Sequence, residues 1–357
     1  MIDVTEKVNQ WDVPNTGMVK VGVVGLGFMG VTHIKAYRQI PDARVGAICD
    51  TGNVPADGDL SGIGGNIGDG TPLRLDMSKI AVYRDLKDLL ADPSIDLVDL
   101  CVPTRVHAEL AVMSLRAGKH VLCEKPLART ADQAREIVAA ATAARGYLLP
   151  AMCMRFWPEW LWLKHAIDRD AFGKVLAARF RRVCEPPSWS RETYLDGGQS
   201  GGALLDLHIH DSDFVQFCFG RPRAVYSRGL SLFSGEVDYI VTQYQVDSGA
   251  VVTAEGGWIM SEGFGFSMSY TVTFESATAD YELSRGRDAL RLFEKGRDAR
   301  TIACDPGDGY LGELRHMVGA IRHGHPPTLV TPADAASAVE ICEAEGRSVR
   351  SGRVVSL

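Results

Sequence analysis

A glycine pattern close to the start of the chain limits the folds that this sequence can adopt. The pattern G-x-G-x-x-G follows the β-branched run 19–24 and opens a helix-like segment at 28–39. In such a turn the first glycine makes the bend, the second lets the backbone approach a pyrophosphate, and the third lets the helix pack on the strand. The phosphates then lie at the positive end of the helix. We expect the contacts to a dinucleotide to come from Gly25, Gly27, Phe28, Met29 and Gly30.

An acidic residue supports the nucleotide interpretation. Asp50 ends the next strand-like run, 43–49, twenty positions beyond Gly30, where a carboxylate can accept hydrogen bonds from the adenosine ribose. The same charge repels a 2′-phosphate, and neither Thr51 nor Gly52 supplies a cation. The sequence therefore favours NAD over NADP, unless a lysine or arginine from the following loop reaches back. The alternative is a glycine turn in an α/β domain that binds no nucleotide.

Strand-like and helix-like segments alternate in the first half of the chain, which predicts a parallel sheet with helices on both faces. The second half is rich in β-like runs joined by turn signals, which predicts a mostly antiparallel sheet. At roughly 150 residues per domain, the 357 residues indicate about two domains. We expect the first over residues 1–150 and the second over 151–357. The helix 332–346 belongs to the second domain or packs back on the first.

Local signals predict several element ends. Thr130 and Gln133 form a capping box for a helix that we expect to stop at Gly146. Residues 331–334, Thr-Pro-Ala-Asp, cap a last helix, with Gly346 as its expected stop. The β-like runs of the second half are 174–183, 224–232, 239–246, 250–258, 267–274 and 289–293.

Composition excludes several classes of protein. The formal net charge of −7 gives no basic face for nucleic acid. The first residues lack a signal-peptide pattern and no apolar run approaches the ~18 residues of a membrane span, so we expect a cytoplasmic protein that does not contact membranes. The 8 cysteines are scattered without a C-x-x-C pair, as expected for reduced, mostly buried thiols. Residues 52–70 are glycine-rich and lack periodic apolar positions, so we predict a mobile loop, interpreted as a flap over the adenosine end of the cofactor.

A lysine lies just after a predicted strand. The run 97–127 reads LVDLCVPTRVHAELAVMSLRAGKHVLCEKPL, and Lys125 follows the strand-like residues 120–123. Ligands of parallel sheets bind at the carboxyl ends of the strands. An ammonium there can donate to a substrate hydroxyl and stabilise a developing alkoxide. Glu124 orients the lysine or contacts the nicotinamide ribose. The simpler alternative is a surface turn of sequence Glu-Lys-Pro.

The same stretch, with the glycine turn before it, resembles the glucose-fructose oxidoreductase, inositol dehydrogenase and MocA (Gfo/Idh/MocA) family of nucleotide-dependent sugar and polyol oxidoreductases. The marks are Pro103, Thr104, His107, Glu124, Lys125 and Pro126. The resemblance implies a Rossmann domain and an α+β domain whose open, mostly antiparallel sheet often forms the interface of a homodimer or homotetramer. It implies a cis Lys125–Pro126 bond and cofactor contacts from the first five of these residues. A helix N-cap is the alternative for Thr104, and core packing is the alternative for His107.

A second cluster of polar residues follows in the run 197–214. If the chain is helical from Ala203 onward, Asp206 and His210 are four residues apart and share a face, while His208 lies roughly opposite. Histidine titrates near neutral pH and suits the general base for a secondary alcohol, and the carboxylate can orient a neighbouring hydroxyl. In the resembled family this acid–histidine pair belongs to the catalytic site. His208 departs from the family, in which a small residue is usual.

Two other interpretations of this cluster remain. Asp206 is also a residue type that the helix dipole favours in a first turn. The group His208, His210, Asp211 and Asp213 suggests a metal site. However, helical geometry separates the two histidines, and no cysteine or further histidine pair has ligand spacing. We therefore predict no metal.

The sequence thus predicts an NAD(P)-dependent dehydrogenase acting on a CH–OH group of a sugar, polyol or inositol-like substrate. We expect Lys125, Asp206 and His210 to be catalytic. Substrate contacts are expected from Arg155, Trp189, Tyr194, Asp206 and His210, although core packing fits the two aromatic residues equally well. Gly201 and Gly202 would let the backbone pass close to the sugar. The alternatives are a redox-neutral lyase, epimerase or deglycosylating enzyme with tightly bound NAD, and a sugar-responsive regulatory protein.

Overall fold

The computed structural model describes residues 17–52, 54–65, 70–188 and 191–357. Trp189 lies outside these residues, so its predicted contact with substrate stays a prediction. The chain divides into two compact units, the first made of Met1–Cys153 with Asp308–Ala336 and the second of Met154–Gly307 with Ser337–Leu357. We expected residues 308–336 in the second domain. They group with the first unit because the helix Gly309–His323 packs there on the helix Phe28–Tyr37.

The described residues form fifteen strands, and most of them lie where the sequence predicts them. The strands are β1 (Val19–Val24), β2 (Ala43–Cys49), β3 (Ala81–Tyr83), β4 (Leu97–Leu100), β5 (His120–Glu124), β6 (Leu148–Ala151), β7 (Val175–Cys184), β8 (Ala224–Leu230), β9 (Tyr239–Gln245), β10 (Val251–Gly257), β11 (Phe266–Phe274), β12 (Ala277–Glu282), β13 (Leu290–Glu294), β14 (Arg300–Thr301) and β15 (Val355–Ser356).

The helices of the described residues vary from single turns to a twenty-residue helix. They are α1 (Phe28–Tyr37), α2 (Leu86–Ala91), α3 (His107–Arg116), α4 (Ala131–Ala143), α5 (Pro158–Asp168), α6 (Arg191–Tyr194), α7 (Gly197–Ser200), α8 (Ile209–Phe219), α9 (Gly309–His323) and α10 (Pro332–Ser351). A π-helical turn, Leu204–His208, leads directly into α8. None of the described helices is long and apolar enough to cross a membrane.

The sheet of the first unit has the strand order β3-β2-β1-β4-β5-β6, with every neighbouring pair parallel. This is the order of doubly wound dinucleotide-binding folds, in which ligands bind beyond the carboxyl ends of the strands. The predicted parallel sheet is confirmed. It places the glycine turn, Asp50 and Lys125 after the carboxyl ends of β1, β2 and β5.

Two predicted helix stops are wrong, for the same physical reason. The helix α4 begins at the predicted cap, where Thr130 Oγ1 accepts from Gln133 N at 3.3 Å, but it ends before Gly146. A Cβ at Gly146 would collide with the carbonyl oxygen of Lys119. Gly346 lies inside α10, where a Cβ would come within 3.3 Å of a methyl group of Leu204. Both glycines allow close packing rather than a left-handed helix end.

The sheet of the second unit has the order β14-β13-β12-β11-β7-β10-β9-β8-β15. Its pairs are antiparallel except for β7 with β10, which confirms the mostly antiparallel sheet. The strand β12 was missed. The π-helical turn and α8 pack on one face of β10. The opposite face of the sheet exposes Tyr226 of β8, Val241 of β9 and Val251 of β10.

The core of the second unit is built around an aromatic cluster. Trp160 of α5 makes edge-to-face contacts with Phe214 at 4.8 Å and Tyr270 at 5.3 Å between ring centroids. Such pairs contribute about 0.5–1.5 kcal/mol beyond the burial of their area. This cluster joins α5 and α8 to the sheet. It therefore holds α8 in place, together with the polar residues on its accessible side.

Candidate active site

The glycine turn joins β1 to α1 in the first unit. Gly25 has a φ of +90°, and a Cβ there would collide with the carbonyl oxygen of Cys101. A Cβ at Gly30 would collide with the Gly25 carbonyl oxygen. Gly27 is the N-cap of α1, and a Cβ added there meets no atom within 4 Å. The first turn of α1 also carries no acidic side chain. The positive end of α1 thus faces a cradle that fits a pyrophosphate.

Asp50 is held beside this turn by backbone amides. Its Oδ2 accepts from Leu26 N at 2.7 Å and its Oδ1 accepts from Gly52 N at 2.7 Å. Each oxygen keeps a lone pair for a ribose hydroxyl. Arg84, which follows β3, donates to the carbonyl oxygens of Asp50 and Gly52. Sequence analysis missed this cation because it sought one in the loop after β2, whereas Arg84 comes from the neighbouring strand.

The predicted loop after Asp50 is anchored by backbone pairing. Leu60 N donates to Leu73 O at 2.9 Å, and Leu75 N donates to Gly58 O at 2.9 Å. The glycine content of residues 52–70 did not predict this backbone pairing. The loop also reaches α1, because a Cβ at Gly65 would lie 2.6 Å from the ring of Phe28. The described part of the loop therefore lies against Phe28, the first residue of α1.

The strand β4 leads into a 3₁₀ turn, Thr104–Val106, that begins after Pro103. Pro103 is exposed and Thr104 is half-buried, and the residue that caps α3 is Val106 rather than Thr104. The ring of His107 is buried, with Nδ1 2.7 Å from Pro126 O and Nε2 2.8 Å from Val102 O. Of the two alternatives for His107, the structure has the packed one. Burial lowers the pKa of His107.

Lys125 follows β5, between Glu124 and Pro126, and the Lys125–Pro126 bond is cis, as the resemblance implies. Glu124 is buried, and its Oε2 accepts from Lys125 N at 2.9 Å. Burial by itself raises the pKa of Glu124. A hydrogen bond and the charge of His33, together with the charge of Lys125, outweigh burial and lower that pKa. Glu124 therefore orients the backbone at Lys125 as a carboxylate.

Asp206 and His210 share a face in the second unit, although the local structure differs from the predicted α-helix. Asp206 lies in the π-helical turn and His210 in the first turn of α8. Between residues 201 and 215, these two are half-buried and all the others are buried. Their side chains therefore mark the one accessible stripe of this segment. Single π turns are frequent at functional sites.

The glycines before this segment serve the packing of the second unit. Gly201 and Gly202 have φ values of +84° and +70°. A Cβ at Gly202 would lie 2.7 Å from Val237 O, and a Cβ at Gly201 would lie 2.7 Å from Leu205 side-chain atoms. Both glycines are buried. The positive φ values and the close packing against Leu205 and Val237 explain why glycine is needed here, and the predicted approach to a sugar stays a prediction.

Arg155 lies in a buried ion pair, not in the open pocket that we expected. Its Nε and one terminal nitrogen donate to the two carboxylate oxygens of Asp213 at 2.8 and 2.7 Å. The Arg155 side chain is 3% exposed and lies over the ring of Phe217. Tyr194 packs edge-to-face on Trp258, with 6.4 Å between ring centroids. For both residues the structure shows these packing contacts, and their contact with a substrate stays a prediction.

The other polar residues of the segment are also held by buried partners. Asp211 pairs with Arg182 at 3.0 and 3.2 Å. His208 Nε2 lies 3.2 Å from the hydroxyl of Tyr244, which donates to Glu345 Oε1 at 2.7 Å. His208 thus points into a polar network in the core, opposite the stripe of Asp206 and His210, as the helical spacing predicts.

Sequence reasoning missed a buried cluster in the first unit. It consists of four ionisable residues on four elements: His33, Asp99, Glu124 and Glu313. His33 follows Gly30 by three positions, so it faces the sheet one turn into α1. An acidic residue inside the apolar run of β4 was the available signal, because such a carboxylate needs a buried partner.

Two family models match most of the chain. Residues 19–150 match the family model described as "Oxidoreductase family, NAD-binding Rossmann fold", and residues 160–280 match "GFO/IDH/MocA C-terminal domain". The chain is 28% identical to a myo-inositol 2-dehydrogenase of Thermotoga maritima over 95% of this chain and 98% of that protein. It is 27% identical to an inositol 2-dehydrogenase of Rubrobacter xylanophilus over 94% and 92% of the two chains.

The fold recurs among solved structures. A levoglucosan dehydrogenase in complex with NADH and L-sorbose superposes with a TM-score of 0.81 at 21% identity, covering 96% of this chain and 99% of that chain. The predicted cofactor, NAD, agrees with the matching NAD-binding domain. The chain belongs to the Gfo/Idh/MocA family of NAD-binding oxidoreductases.

Proposed function

We propose that the protein is an NAD-dependent dehydrogenase that oxidises a secondary alcohol of a cyclic polyol or sugar. Support comes from the relatives named inositol 2-dehydrogenase and levoglucosan dehydrogenase. Both of these names refer to a cyclic compound that carries hydroxyl groups on its ring. The observation that carries the proposal is the half-buried pair Asp206 and His210 in an otherwise buried segment. An acid and a histidine on one accessible stripe are the groups that oxidation of an alcohol requires.

The proposed roles follow from the chemistry of each group. His210 accepts the proton of the substrate hydroxyl, because a histidine changes charge near neutral pH. Lys125 stabilises the negative charge of the alkoxide that forms. Asp206 accepts from a neighbouring hydroxyl and orients the ring. NAD, when bound, would supply the acceptor for the hydride of the carbinol carbon.

The residues of the first unit would hold that cofactor without rearrangement. The cradle of Gly25, Gly27 and Gly30 fits the pyrophosphate, since a Cβ at the first or third position would collide with backbone atoms. Asp50, fixed by two backbone amides, would accept from the adenosine ribose. No acidic side chain of the first helical turn opposes the phosphates.

We also propose a homodimer or homotetramer through the open face of the second sheet. That face exposes Tyr226, Leu230, Val241 and Val251, which are 38% to 57% exposed. Apolar side chains grouped on one face are typical of interaction surfaces. The mass of the purified protein by light scattering tests this directly, and a monomer at micromolar concentration would contradict it.

The test of function is a panel of inositols, pyranoses and anhydro sugars, each incubated with the protein and NAD. We expect at least one cyclic polyol to give reduced cofactor, followed by its absorbance, at a rate that saturates with substrate. The same panel with NADP is the control, and it should react more slowly because Asp50 faces the position of a 2′-phosphate. Tight NAD binding with no reduction by any compound would contradict the proposal.

A further inference from the structure

The first unit buries four ionisable residues directly behind the lysine motif. His33, Asp99, Glu124 and Glu313 are at most 5% exposed, and they come from α1, β4, β5 and α9. Burying charged groups is costly, and replacing such a cluster with apolar residues is often neutral or stabilising. The free-energy cost of burying these four residues therefore indicates that they serve a purpose other than stability.

The contacts form a continuous chain that ends at Lys125. His33 Nδ1 lies 2.9 and 3.1 Å from the two carboxylate oxygens of Asp99. His33 Nε2 lies 3.2 Å from Glu124 Oε1. The other oxygen of Glu124 accepts from the backbone N–H of Lys125 at 2.9 Å. Two contacts thus separate the imidazole of His33 from the main chain of the lysine.

The charges around His33 keep it protonated. Burial by itself lowers its pKa, but the Asp99 carboxylate and, to a smaller extent, Cys101 outweigh burial and raise the pKa well above its ordinary value. Tyr37 lies one turn further along α1, and the Tyr310 ring of α9 lies 6.5 Å away. An imidazolium carries a proton on each nitrogen, so Nδ1 can donate to Asp99 while Nε2 makes an ion-pair contact with Glu124.

Glu313 completes the cluster in a different charge state. Its Oε1 is 3.8 Å from His33 Nε2, and among the described residues neither of its oxygens has a hydrogen-bond partner. Burial and the negative charges of Glu124 and Asp99 raise the pKa of Glu313 well above its ordinary value. Glu313 therefore carries a proton, and the cation of His33 is balanced by Asp99 and Glu124.

A second histidine holds the other side of the lysine. His107 Nδ1 lies 2.7 Å from the carbonyl oxygen of Pro126, and its Nε2 lies 2.8 Å from that of Val102. The residues before and after Lys125 are thus each held by a buried imidazole. A bend beyond a strand end has no backbone ladder of its own, so such contacts are what fix it.

We propose that His33, acting through Glu124, and His107, acting through Pro126, are positioning residues that hold Lys125 at the carboxyl end of β5. This inference rests on the proposed role of Lys125 in stabilising the alkoxide. Glu313, in its protonated form, lines the cluster as an uncharged side chain and does not itself orient the lysine. A misplacement of about 1 Å can cost on the order of 10²-fold in rate.

The first test uses His33→Asn, with Glu313→Gln as the matched control, because glutamine has the shape of a protonated glutamic acid. We expect His33→Asn to lower turnover on the order of 10²-fold with little change in NAD affinity, measured by fluorescence quenching. Its acid limb of kcat/KM should move to higher pH, because Glu124 loses its cationic neighbour. Glu313→Gln should stay within about threefold of wild type in turnover, which corresponds to a change of under 1 kcal/mol in the activation free energy.

The outcomes separate the two proposals. Wild-type turnover and an unshifted pH profile in His33→Asn overturn the positioning role while leaving the function of Lys125 standing. Undiminished turnover in Lys125→Ala overturns the proposed role of Lys125, and the absence of NAD reduction by every compound of the panel overturns the proposed function itself. A loss in Glu313→Gln as large as that in His33→Asn overturns the assignment of a neutral Glu313.

A second readout does not depend on activity or on the folding of a variant. Selective ¹⁵N labelling of histidine in the wild-type protein, with NAD added, reports the protonation of each ring nitrogen. We expect His33 to remain an imidazolium at about pH 8, well above the ordinary histidine pKa near 6.5. A neutral His33 ring at that pH overturns the inference.

Discussion

The two segments that carry the proposed catalytic groups are held in place in different ways. Lys125 lies in a bend after β5, and its neighbours are held by the side chains of His33 and His107. Asp206 and His210 lie on a helical segment whose own backbone hydrogen bonds fix their spacing. A bend outside the backbone ladder needs side-chain contacts to hold it, whereas a helical segment needs only to pack on the sheet beneath it.

This comparison predicts different consequences for changes behind the two segments. Loss of a side-chain contact that holds the neighbours of Lys125 should change turnover in protein that is still folded. Behind Asp206 and His210, a lost buried partner should change the free energy of unfolding and leave the turnover of the folded protein close to wild type.

The largest stability effect is expected at the buried pair that anchors α8. Asp213→Ala leaves the Arg155 guanidinium, 3% exposed, without its carboxylate partner. Removing one member of a buried ion pair costs about 3–5 kcal/mol. We expect that loss in the free energy of unfolding by denaturant titration, with the turnover of the folded protein nearly unchanged.

The matched control replaces both members, as Arg155→Met with Asp213→Leu. It should recover most of the lost stability, because an apolar pair of similar size leaves no buried charge unpaired. If Asp213→Ala instead lowers turnover strongly at unchanged stability, Arg155 and Asp213 orient the site, and the contrast between the two segments fails.

A smaller effect is expected in the pH dependence of stability. His33 and Glu313 have raised pKa values in the fold, so the folded protein keeps protons that the unfolded chain releases. Stability is then highest below the unfolded pKa values and falls as pH rises toward the folded ones. For Glu313 this window opens above its ordinary pKa of 4.5, and for His33 above 6.5.

Glu313→Gln isolates one of these protons. Each retained proton changes the free energy of unfolding by about 1.4 kcal/mol per pH unit. We expect the decline in stability of the wild type between about pH 6 and 8 to be shallower in the variant by close to that amount. Parallel curves would mean that Glu313 is ionised in the fold, contrary to the charge balance inferred for the cluster.

The sequence predicted those features that depend on local spacing. The glycine turn, the position of Asp50 after β2 and the Thr331–Asp334 cap of α10 all depend on residues a few positions apart. The common face of Asp206 and His210 also follows from their spacing of four. Family membership and the NAD-binding domain were predicted from the same motifs and are confirmed by the comparisons.

The features that the sequence did not predict depend on contacts between distant parts of the chain. Gly146 and Gly346 look like helix stops until Lys119 and Leu204 are placed against them. Arg155 looked available for substrate until α8 brought Asp213 to it. The cluster around His33 assembles from four elements, and the π-helical turn packs on β10, a strand more than forty residues further along the chain.

The substitution Lys125→Ala, assayed with NAD and the best compound of the polyol panel, tests the proposed catalytic site most directly. Loss of the group that stabilises the alkoxide should lower kcat by about 10²–10³-fold. NAD affinity should change little, because the glycine turn and Asp50 are untouched. Turnover within a few-fold of wild type would contradict the role of Lys125 and, with it, the proposed mechanism.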